Sequence, residues 1–255
     1  LDLEVVIVDN SPHKNISSVI QNLNLSLNIK YIHNPKNGGF GQGNNIGALH
    51  SSGDVLFFLN PDTILTDQIF SFILEQYRLL NITISGFRLT DRDGKDVDSV
   101  GILPEYNFIY IPRWVLNFLV IRLGLMTNWI YPWGADFIIR KESFVRAGMF
   151  DEKMFLCNEE PDLVKRVGSC KIKIFNKKII HLEGHTTKLH KERFSQWLKT
   201  TQYYLEKHTK SYKRFILIFM FRNFSKLILK QLFFKNNDLE KSVNKMLLEE
   251  RRRIK

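Results

Sequence analysis

Residues 53–63 read GDVLFFLNPDT, a hydrophobic run that stops abruptly at Asn60-Pro61-Asp62. The run is typical of a strand buried on both faces, and Asn, Pro and Asp are turn-forming residues. A carboxylate at this position has two explanations. It can belong to a turn in which Asp62 or Thr63 caps the next helix, or it can bind a ligand.

The flanking sequence alternates between two periodicities. Strand patterns at 3–10, 29–34 and 54–60 are separated by helical patterns, of which 15–25 and 66–80 are the longest. Strands joined by helices predict βαβ units, so the predicted fold class is α/β with a mostly parallel central sheet. Ligands bind at the carboxyl ends of strands in such sheets, and we expect Asp9 and Asp62 to face one crevice.

The second half continues the alternation around a long excursion. An irregular, aromatic and basic stretch covers about 98–130. The predicted elements around it are a strand from 82 with a turn at Asp93-Gly94, a strand at 136–140, helices at 141–148 and 157–169 with Asn158 as N-cap, and a strand at 171–186.

Charge divides the chain into two parts. Residues 1–190 hold 20 Lys and Arg against 20 Asp and Glu, whereas residues 191–255 hold 17 against 6. The sequence therefore predicts a main domain over 1–190 and a basic helical extension over 191–255. A neutral main domain argues against a nucleic-acid partner, because phosphate binding needs a basic stripe on the folded body.

Several features bear on the cellular compartment. Cys157 and Cys170 have no CxxC or zinc-ligand spacing, so neither a disulfide framework nor a metal knuckle is predicted, and a reducing cytoplasm is expected. No apolar run approaches the roughly 18 to 20 residues of a membrane span. The chain enters a strand pattern almost at Leu1 without a signal peptide, which indicates a fragment whose beginning is missing.

Two segments invite a nucleotide interpretation. The stretch NGGFGQGNN at 37–45 does not fit G-x-G-x-x-G, because positions 44 and 46 are Asn and Ile. It is either a flexible loop or a loop that contacts a nucleotide through backbone and Asn amides. Asp9 either accepts hydrogen bonds from a base or ribose or starts the turn that follows it.

Three further groups could carry chemistry. Asp62 and the Asn60 carbonyl offer oxygen ligands for Mg²⁺ or Mn²⁺ beside a diphosphate. Glu159 and Glu160 either complement the dipole of their helix or supply a general base whose proton affinity is raised by its neighbour. His181 ends a strand and is either structural or a metal or phosphate contact.

The ordered motifs resemble those of inverting family 2 glycosyltransferases with the GT-A fold, in particular a rhamnosyltransferase-like branch. The matching stretches are VVIVDNSP, NPKNGGFGQGNNIGA, GDVLFFLNPDT, WGADFIIRKESFVRAGMFDE, NEEPDLVKR and IIHLEGHT, which span most of residues 3–190. The family's first strand would precede Leu1.

The resemblance implies a role for each matching position. Asp9 would contact the nucleotide base, and the nucleotide-side loop would contribute Asn37, Gly38 and Asn45. Asp62, in the place of the DxD-type motif and with Asn60 nearby, would bind the metal and diphosphate, assisted by His181. The segment lining the donor-sugar and acceptor site would be Trp133, Gly134, Ala135 and Asp136. Glu160 would be the catalytic base, although Glu159 stays open because Glu-Glu replaces the family's Glu-Asp.

The resemblance also implies the reaction and its partners. It implies transfer of a sugar from a nucleoside diphosphate donor to a hydroxyl of a glycan or lipid-linked acceptor, with inversion and a divalent metal, in cell-surface polysaccharide synthesis. The alternatives are a degenerate basic membrane- or nucleic-acid-binding module and a metal-dependent nucleotidyltransferase.

The basic extension has two interpretations of its own. Residues 207–235 interleave eight Lys and Arg with aromatic and aliphatic residues. Such a helix can lie on an anionic membrane surface, which would place the protein on the cytoplasmic face, or it can pack on the domain with a solvated basic side.

Overall fold

The computed structural model of the chain describes residues 2–13, 16–22, 27–65, 68–106, 111–182, 190–233 and 247–253. The strands are β1 (Glu4–Asp9), β2 (Asn28–His33), β3 (Val55–Leu59), β4 (Thr63–Leu65), β5 (Ile84–Thr90), β6 (Val100–Ile102), β7 (Ile130–Pro132), β8 (Asp136–Arg140) and β9 (Ile172–His181). The helices are α1 (Ser17–Asn22), α2 (Gly39–His50), α3 (Ile69–Leu79), α4 (Arg113–Asn117), α5 (Lys141–Arg146), α6 (Glu159–Val167), α7 (His190–Lys207) and α8 (Tyr212–Phe233). A π-helical turn over Phe118–Arg122 continues α4.

The predicted α/β fold with a central sheet is confirmed, and its strand directions are more mixed than the sequence indicated. The sheet has the order β3-β8-β5-β9-β4, and β8 runs antiparallel to both β3 and β5. β5 is parallel to β9, and β1 is parallel to β2 in a separate pair. The expectation of a mostly parallel sheet is therefore wrong for the neighbours of β8 and for β4, which pairs antiparallel with β9.

The direction of β8 follows from where the chain enters the sheet. β6 and β7 pair antiparallel at the base of the predicted excursion, and the chain then passes through residues 133–135 at the carboxyl end of β3. A strand that starts at this edge must run opposite to β3. No crossover helix intervenes to return the chain to the other edge, as a parallel neighbour would need.

The sheet is buried on both faces by alternating side chains. Leu56 and Phe58 of β3 belong to one core cluster with Phe137 and Ile139 of β8, whereas Ile138 belongs to a second cluster with α3. This alternation is the two-residue period of a strand, and it explains why both strands read as continuous hydrophobic runs.

The basic extension packs on the main domain. A third core cluster joins α7 and α8 through residues that include Leu198, Tyr204, Phe215 and Phe219, together with Met154 of the main domain. For the described part of α8 this favours the interpretation of a packed helix. Parts of the predicted elements lie outside the described residues: residues 15 and 23–25 of the first predicted helix, 183–186 of the last predicted strand, 234–235 of the tail and the side chains of 224–233. Within the described ranges, no helix combines the length and the apolar character needed to cross a membrane.

A buried carboxylate fastens α7 to α6. Asp162, in the first turn of α6, has a fully buried side chain and accepts hydrogen bonds from Arg166, Lys207 and His208 at 2.8 to 3.1 Å. Removing one member of a buried ion cluster leaves the others uncompensated in a low-dielectric site, which costs about 3 to 5 kcal/mol. The clamp between α6 and α7 therefore depends on Asp162.

We expect Asp162→Ala to lower the free energy of unfolding by about 3 to 5 kcal/mol, because Arg166, Lys207 and His208 lose the buried carboxylate that they share, and among the described residues only Lys207 keeps a second carboxylate, that of Asp151. Urea unfolding would measure the loss. Glu142→Ala is the matched control, since Glu142 pairs with Arg146 at the same helical spacing on an exposed surface. It should change stability by less than about 0.5 kcal/mol. Equal effects of the two substitutions would contradict the clamp.

Candidate active site

The Asn60–Thr63 turn joins β3 to β4. The backbone N–H and the hydroxyl of Thr63 both donate to the Asn60 carbonyl, at 3.2 and 2.7 Å. Thr63 then begins β4 rather than a helix, so the expected helix-capping role of Asp62 or Thr63 is wrong: α3 starts only at Ile69. The turn fixes Asp62 at the edge of the sheet, where its side chain is 43% exposed.

Asp62 and His181 form the candidate metal pair. His181 Nε2 lies 3.4 Å from Asp62 Oδ1, and β4 pairs with the end of β9 so that Thr63 faces His181. Asp62 Oδ1 is buried and lacks a hydrogen-bond partner among the described residues. Two ligands held about 2.1 Å from one octahedral ion lie roughly 3 Å apart, so the pair fits a shared ion.

The ion would need further ligands. In the described part of the chain no three His, Cys, Asp or Glu residues form a metal-binding group. Mg²⁺ commonly binds through one or two carboxylates together with substrate phosphates and water. The pair therefore fits a divalent ion that completes its coordination with a diphosphate.

Residues 133–136 lie directly beside the Asn60 turn. The Asn60 N–H donates to the Ala135 carbonyl at 3.0 Å, and the Trp133 N–H donates to the Ser99 carbonyl at 3.2 Å. These bonds fasten the segment to β3 on one side and to the strand pair of the excursion on the other. The Trp133 indole N–H has no hydrogen-bond partner among the described residues.

Gly134 is the contact point between this segment and the first turn of α6. Its backbone N–H donates to the carboxylate of Glu160. A Cβ placed on Gly134 would overlap Glu160 Oε1 and lie 2.9 Å from Phe40 Cζ. The position therefore admits only glycine while the Glu160 carboxyl and the Phe40 ring stay where they are.

The two glutamates of α6 occupy different environments. Glu159 is 1% exposed, and its Oε1 has no hydrogen-bond partner among the described residues, whereas Glu160 is partly exposed beside Gly134. Burial and then the charge of Glu160 raise the pKa of Glu159 well above its ordinary value. Burial also raises the pKa of Glu160, opposed by its own N–H and that of Gly134. This arrangement favours Glu160 as the group that reaches a substrate.

Asp136 lies inside the protein rather than on the lining of a cleft. Its side chain is fully buried, and the Phe87 N–H donates to its Oδ2. Burial raises its pKa well above the ordinary value, opposed by the hydrogen bond from the Phe87 N–H. The structure thus places Asp136 in the link between β8 and β5, away from the donor-sugar and acceptor role implied by the resemblance.

Asp9 ends β1 within a closed set of hydrogen bonds. Its Oδ1 accepts from the N–H and hydroxyl of Ser11 at 3.0 and 2.6 Å, and its Oδ2 accepts from the Tyr31 hydroxyl at 2.7 Å. The Ser11 bonds, followed by that of Tyr31, lower the pKa of Asp9. The carboxylate is therefore held charged, and it forms the turn as well as offering lone pairs to a ligand.

The glycine-rich stretch forms the start of α2. Asn37 has a positive φ of 39°, and its Oδ1 accepts from the Gly39 N–H, while Gly38 occupies the N-cap position. Asn45 lies deeper and is 2% exposed. Its side-chain amide donates to the Phe150 carbonyl, and its Oδ1 accepts from the Phe150 N–H. The structure therefore gives Asn45 a role in fastening α2 to the loop before α6.

Some residues that build the site were missed from the sequence. Phe40 touches the space beside Gly134, and an aromatic residue between glycines was the available signal. Asn158 occupies the predicted N-cap position of α6 but makes no side-chain capping bond; it has a positive φ of 69° and donates to the hydroxyls of Thr200 and Thr201 on α7. Nothing local in the sequence indicates that pairing.

These features place carboxylates at the carboxyl ends of strands in an α/β fold. The family model described as "Glycosyl transferase family 2" matches residues 1–144, more than half of the chain. The chain belongs to glycosyl transferase family 2. No curated protein matches its sequence.

Solved structures share the fold at low sequence identity. GalNAc-T7 with UDP, GalNAc and Mn²⁺ is 17% identical with a TM-score of 0.55, over 80% of this chain and 41% of that one. The mannosyltransferase PcManGT from Pyrobaculum calidifontis, with GDP-Man and Mn²⁺, is 11% identical with a TM-score of 0.55, over 78% and 55%. S. aureus TarS 1-349 is 14% identical with a TM-score of 0.55, over 94% and 68%. The chain thus spans less than two thirds of the length of the GalNAc-T7 and PcManGT chains.

We expect Gly134→Ala to lower kcat at least tenfold, because the added methyl group pushes the Glu160 carboxyl away from the Gly134 N–H. The clash is with the ends of flexible side chains, so the free energy of unfolding should change by less than about 1.5 kcal/mol. Gly47→Ala is the control, since its new Cβ would meet Val8 Cγ2 at an ordinary 3.5 Å. Full activity of Gly134→Ala would contradict the assigned contact.

The raised pKa of Glu159 makes stability depend on pH. Between the ordinary value of 4.5 and the raised pKa, the folded state holds a proton that the unfolded state has lost, so stability falls as pH rises. Glu159→Gln removes this titration. Urea unfolding at pH 5, 7 and 9 should show that the free energy of unfolding declines less with rising pH in the variant than in the wild type, by on the order of 1 kcal/mol or more. Glu142→Gln, at an exposed position, is the control. If the free energy of unfolding of Glu159→Gln followed pH in parallel with that of the wild type, as expected for this control, the raised pKa of Glu159 would be refuted.

Proposed function

We propose that the chain transfers a sugar from a nucleoside diphosphate donor to a hydroxyl group of a glycan or lipid-linked acceptor, with inversion at the anomeric carbon. Membership of glycosyl transferase family 2 supports the reaction class. The observation that carries the proposal is the Glu160 carboxyl, held by the Gly134 N–H in the segment that also bonds Asn60 of the Asp62 turn.

Glu160 acts as the general base. Its pKa is raised by burial, which strengthens it as a proton acceptor, and Gly134 orients the carboxylate. The acceptor hydroxyl gives its proton to Glu160 while its oxygen attacks the anomeric carbon. The bond between that carbon and the diphosphate oxygen breaks with its electron pair passing to the diphosphate. A single displacement inverts the configuration and needs no covalent glycosyl-enzyme.

Asp62 and His181 hold the leaving-group side. Their facing ligand atoms suit a Mg²⁺ or Mn²⁺ ion, which would supply positive charge beside the diphosphate. Mn²⁺ is present in the GalNAc-T7 and PcManGT structures, which supports the same choice of ion. Asp62 would hold the ion through Oδ1 and His181 through Nε2, at the edge of the sheet.

The donor is a nucleoside diphosphate hexose or deoxyhexose, including a rhamnosyl donor. UDP-GlcNAc in a TarS structure and GDP-Man in PcManGT support this class. Asp9 is held charged where it can accept from a base or ribose, and Asn37 and Gly38 offer backbone groups at the start of α2.

We place the reaction in cell-surface polysaccharide assembly at the cytoplasmic face of a membrane. The basic extension over 207–235 supports this location, because its excess of Lys and Arg is attracted to anionic lipid. A lipid-linked acceptor would be presented at that surface.

The test is nucleoside diphosphate release from a panel of UDP-, GDP- and dTDP-sugars with Mn²⁺ or Mg²⁺. Glu160→Gln should lower kcat by about 10² to 10⁴-fold, because the acceptor proton has no base to receive it. Glu159→Gln should keep most of the activity, and Asp62→Asn should raise the metal concentration needed for half-maximal rate.

Two results would overturn the proposal. If Glu159→Gln abolished turnover while Glu160→Gln stayed active, the base would be Glu159, which contradicts the assignment of this role to Glu160. Pyrophosphate release from a nucleoside triphosphate, without nucleoside diphosphate release from any sugar donor, would identify a nucleotidyltransferase instead.

A further inference from the structure

The helical segment over 113–122 presents large apolar side chains to solvent. Trp114 is 74% exposed, and Phe118, four residues later, is 53% exposed. Leu123 and Leu125, in the turn that follows, are also exposed, and their N–H groups bond the carbonyls of Phe118 and Leu119. These four residues, Trp114, Phe118, Leu123 and Leu125, are called the exposed apolar face.

The orientation of this face is fixed by the opposite side of the same segment. Leu116, Val120 and Ile121 are buried in the first core cluster. The segment cannot rotate to bury Trp114 and Phe118 without exposing these three side chains. Both sides of the segment are therefore apolar, and only one of them packs against other residues that the structure describes.

The segment that carries the face has basic residues and no acidic ones. The sequence has no Asp or Glu between Glu105 and Asp136, and the segment carries Arg122, which is exposed one turn after Phe118. A face of this kind complements an apolar surface that carries negative charge.

We propose that the exposed apolar face docks on an anionic lipid surface. Trp and Phe are favoured at the boundary between headgroups and acyl chains, and Leu side chains reach the apolar layer below. Arg122 keeps its guanidinium at the headgroup phosphates while its stem lies along the apolar side chains. The long-range attraction of the basic extension brings the protein to the membrane, and the face inserts.

A protein partner fits this face less well. The exposed parts of the four side chains amount to on the order of 500 Å², below the roughly 800 Å² per partner of a stable specific interface. The basic helix α8 is also a weaker candidate for insertion. In the part of α8 whose side chains are described, up to residue 223, Phe215, Ile216 and Phe219 are packed in the third core cluster, and Leu217 and Phe221 are exposed on the same helix as Arg214.

The experiment compares two double variants in vesicle sedimentation. Vesicles contain phosphatidylcholine and phosphatidylglycerol at about 7:3, with phosphatidylcholine alone as the uncharged reference. Trp114→Ser with Phe118→Ser removes the face, and Leu217→Ser with Phe221→Ser is the control on α8. The control is well matched, since Phe221 is 76% exposed against 74% for Trp114. Both variants should retain the wild-type Tm because all four side chains are exposed.

The Trp114 and Phe118 variant should lower the partition coefficient on charged vesicles at least tenfold, and the α8 variant should change it less than twofold. Wild-type binding should weaken on uncharged vesicles and in high salt. A larger loss in the α8 variant, or no wild-type binding to charged vesicles, would overturn the proposal. So would a wild-type dimer in sedimentation velocity that the face variant makes monomeric, because the face would then bind a second copy. None of these readouts requires glycosyl transfer, so they test this proposal independently of the proposed reaction.

Discussion

The contact between Gly134 and Glu160 is the constraint on which the site depends. The Gly134 N–H donates to the Glu160 carboxylate, and the absence of a Cβ leaves space for both that carboxylate and the Phe40 ring. Three separate parts of the chain meet there: the loop before β8, the first turn of α6 and the start of α2. Because the same loop accepts a hydrogen bond from Asn60, the position of Glu160 is coupled to that of the Asp62 turn.

Placing two acids side by side gives them different chemical roles. Glu159 is buried against α2, where Gly41 brings the helix backbone close to its side chain, and it is held protonated. A neutral Glu159 adds no repulsion when Glu160 is ionised, so Glu160 can cycle between its two states alone. Because burial keeps Glu159 neutral, Glu159 does not raise the free-energy cost of ionising Glu160.

Local patterns in the sequence predicted the elements and motif positions well. Turn residues and periodicity located β3, β8, α5 and α6, because these signals depend on neighbouring residues. The direction of β8 could not be read in this way, since it depends on which sheet edge the excursion returns to. The amide of Asn45 looked free for a nucleotide, but its partner Phe150 is 105 residues away in sequence. Asp136 was misjudged for the same reason, because its burial is created by strands that are distant in the chain.

The basic extension supports the site as well as carrying charge. Asn158, which immediately precedes the two glutamates, donates to Thr200 and Thr201 of α7, and its left-handed backbone sets the direction in which α6 begins. Asp162, two residues after Glu160, is fastened to the end of the same helix by Lys207 and His208. Glu160 is therefore held from both sides, by Gly134 on one side and by α7 on the other. A boundary placed near residue 190 on charge alone separates two parts that share one hydrogen-bonded structure around Glu160.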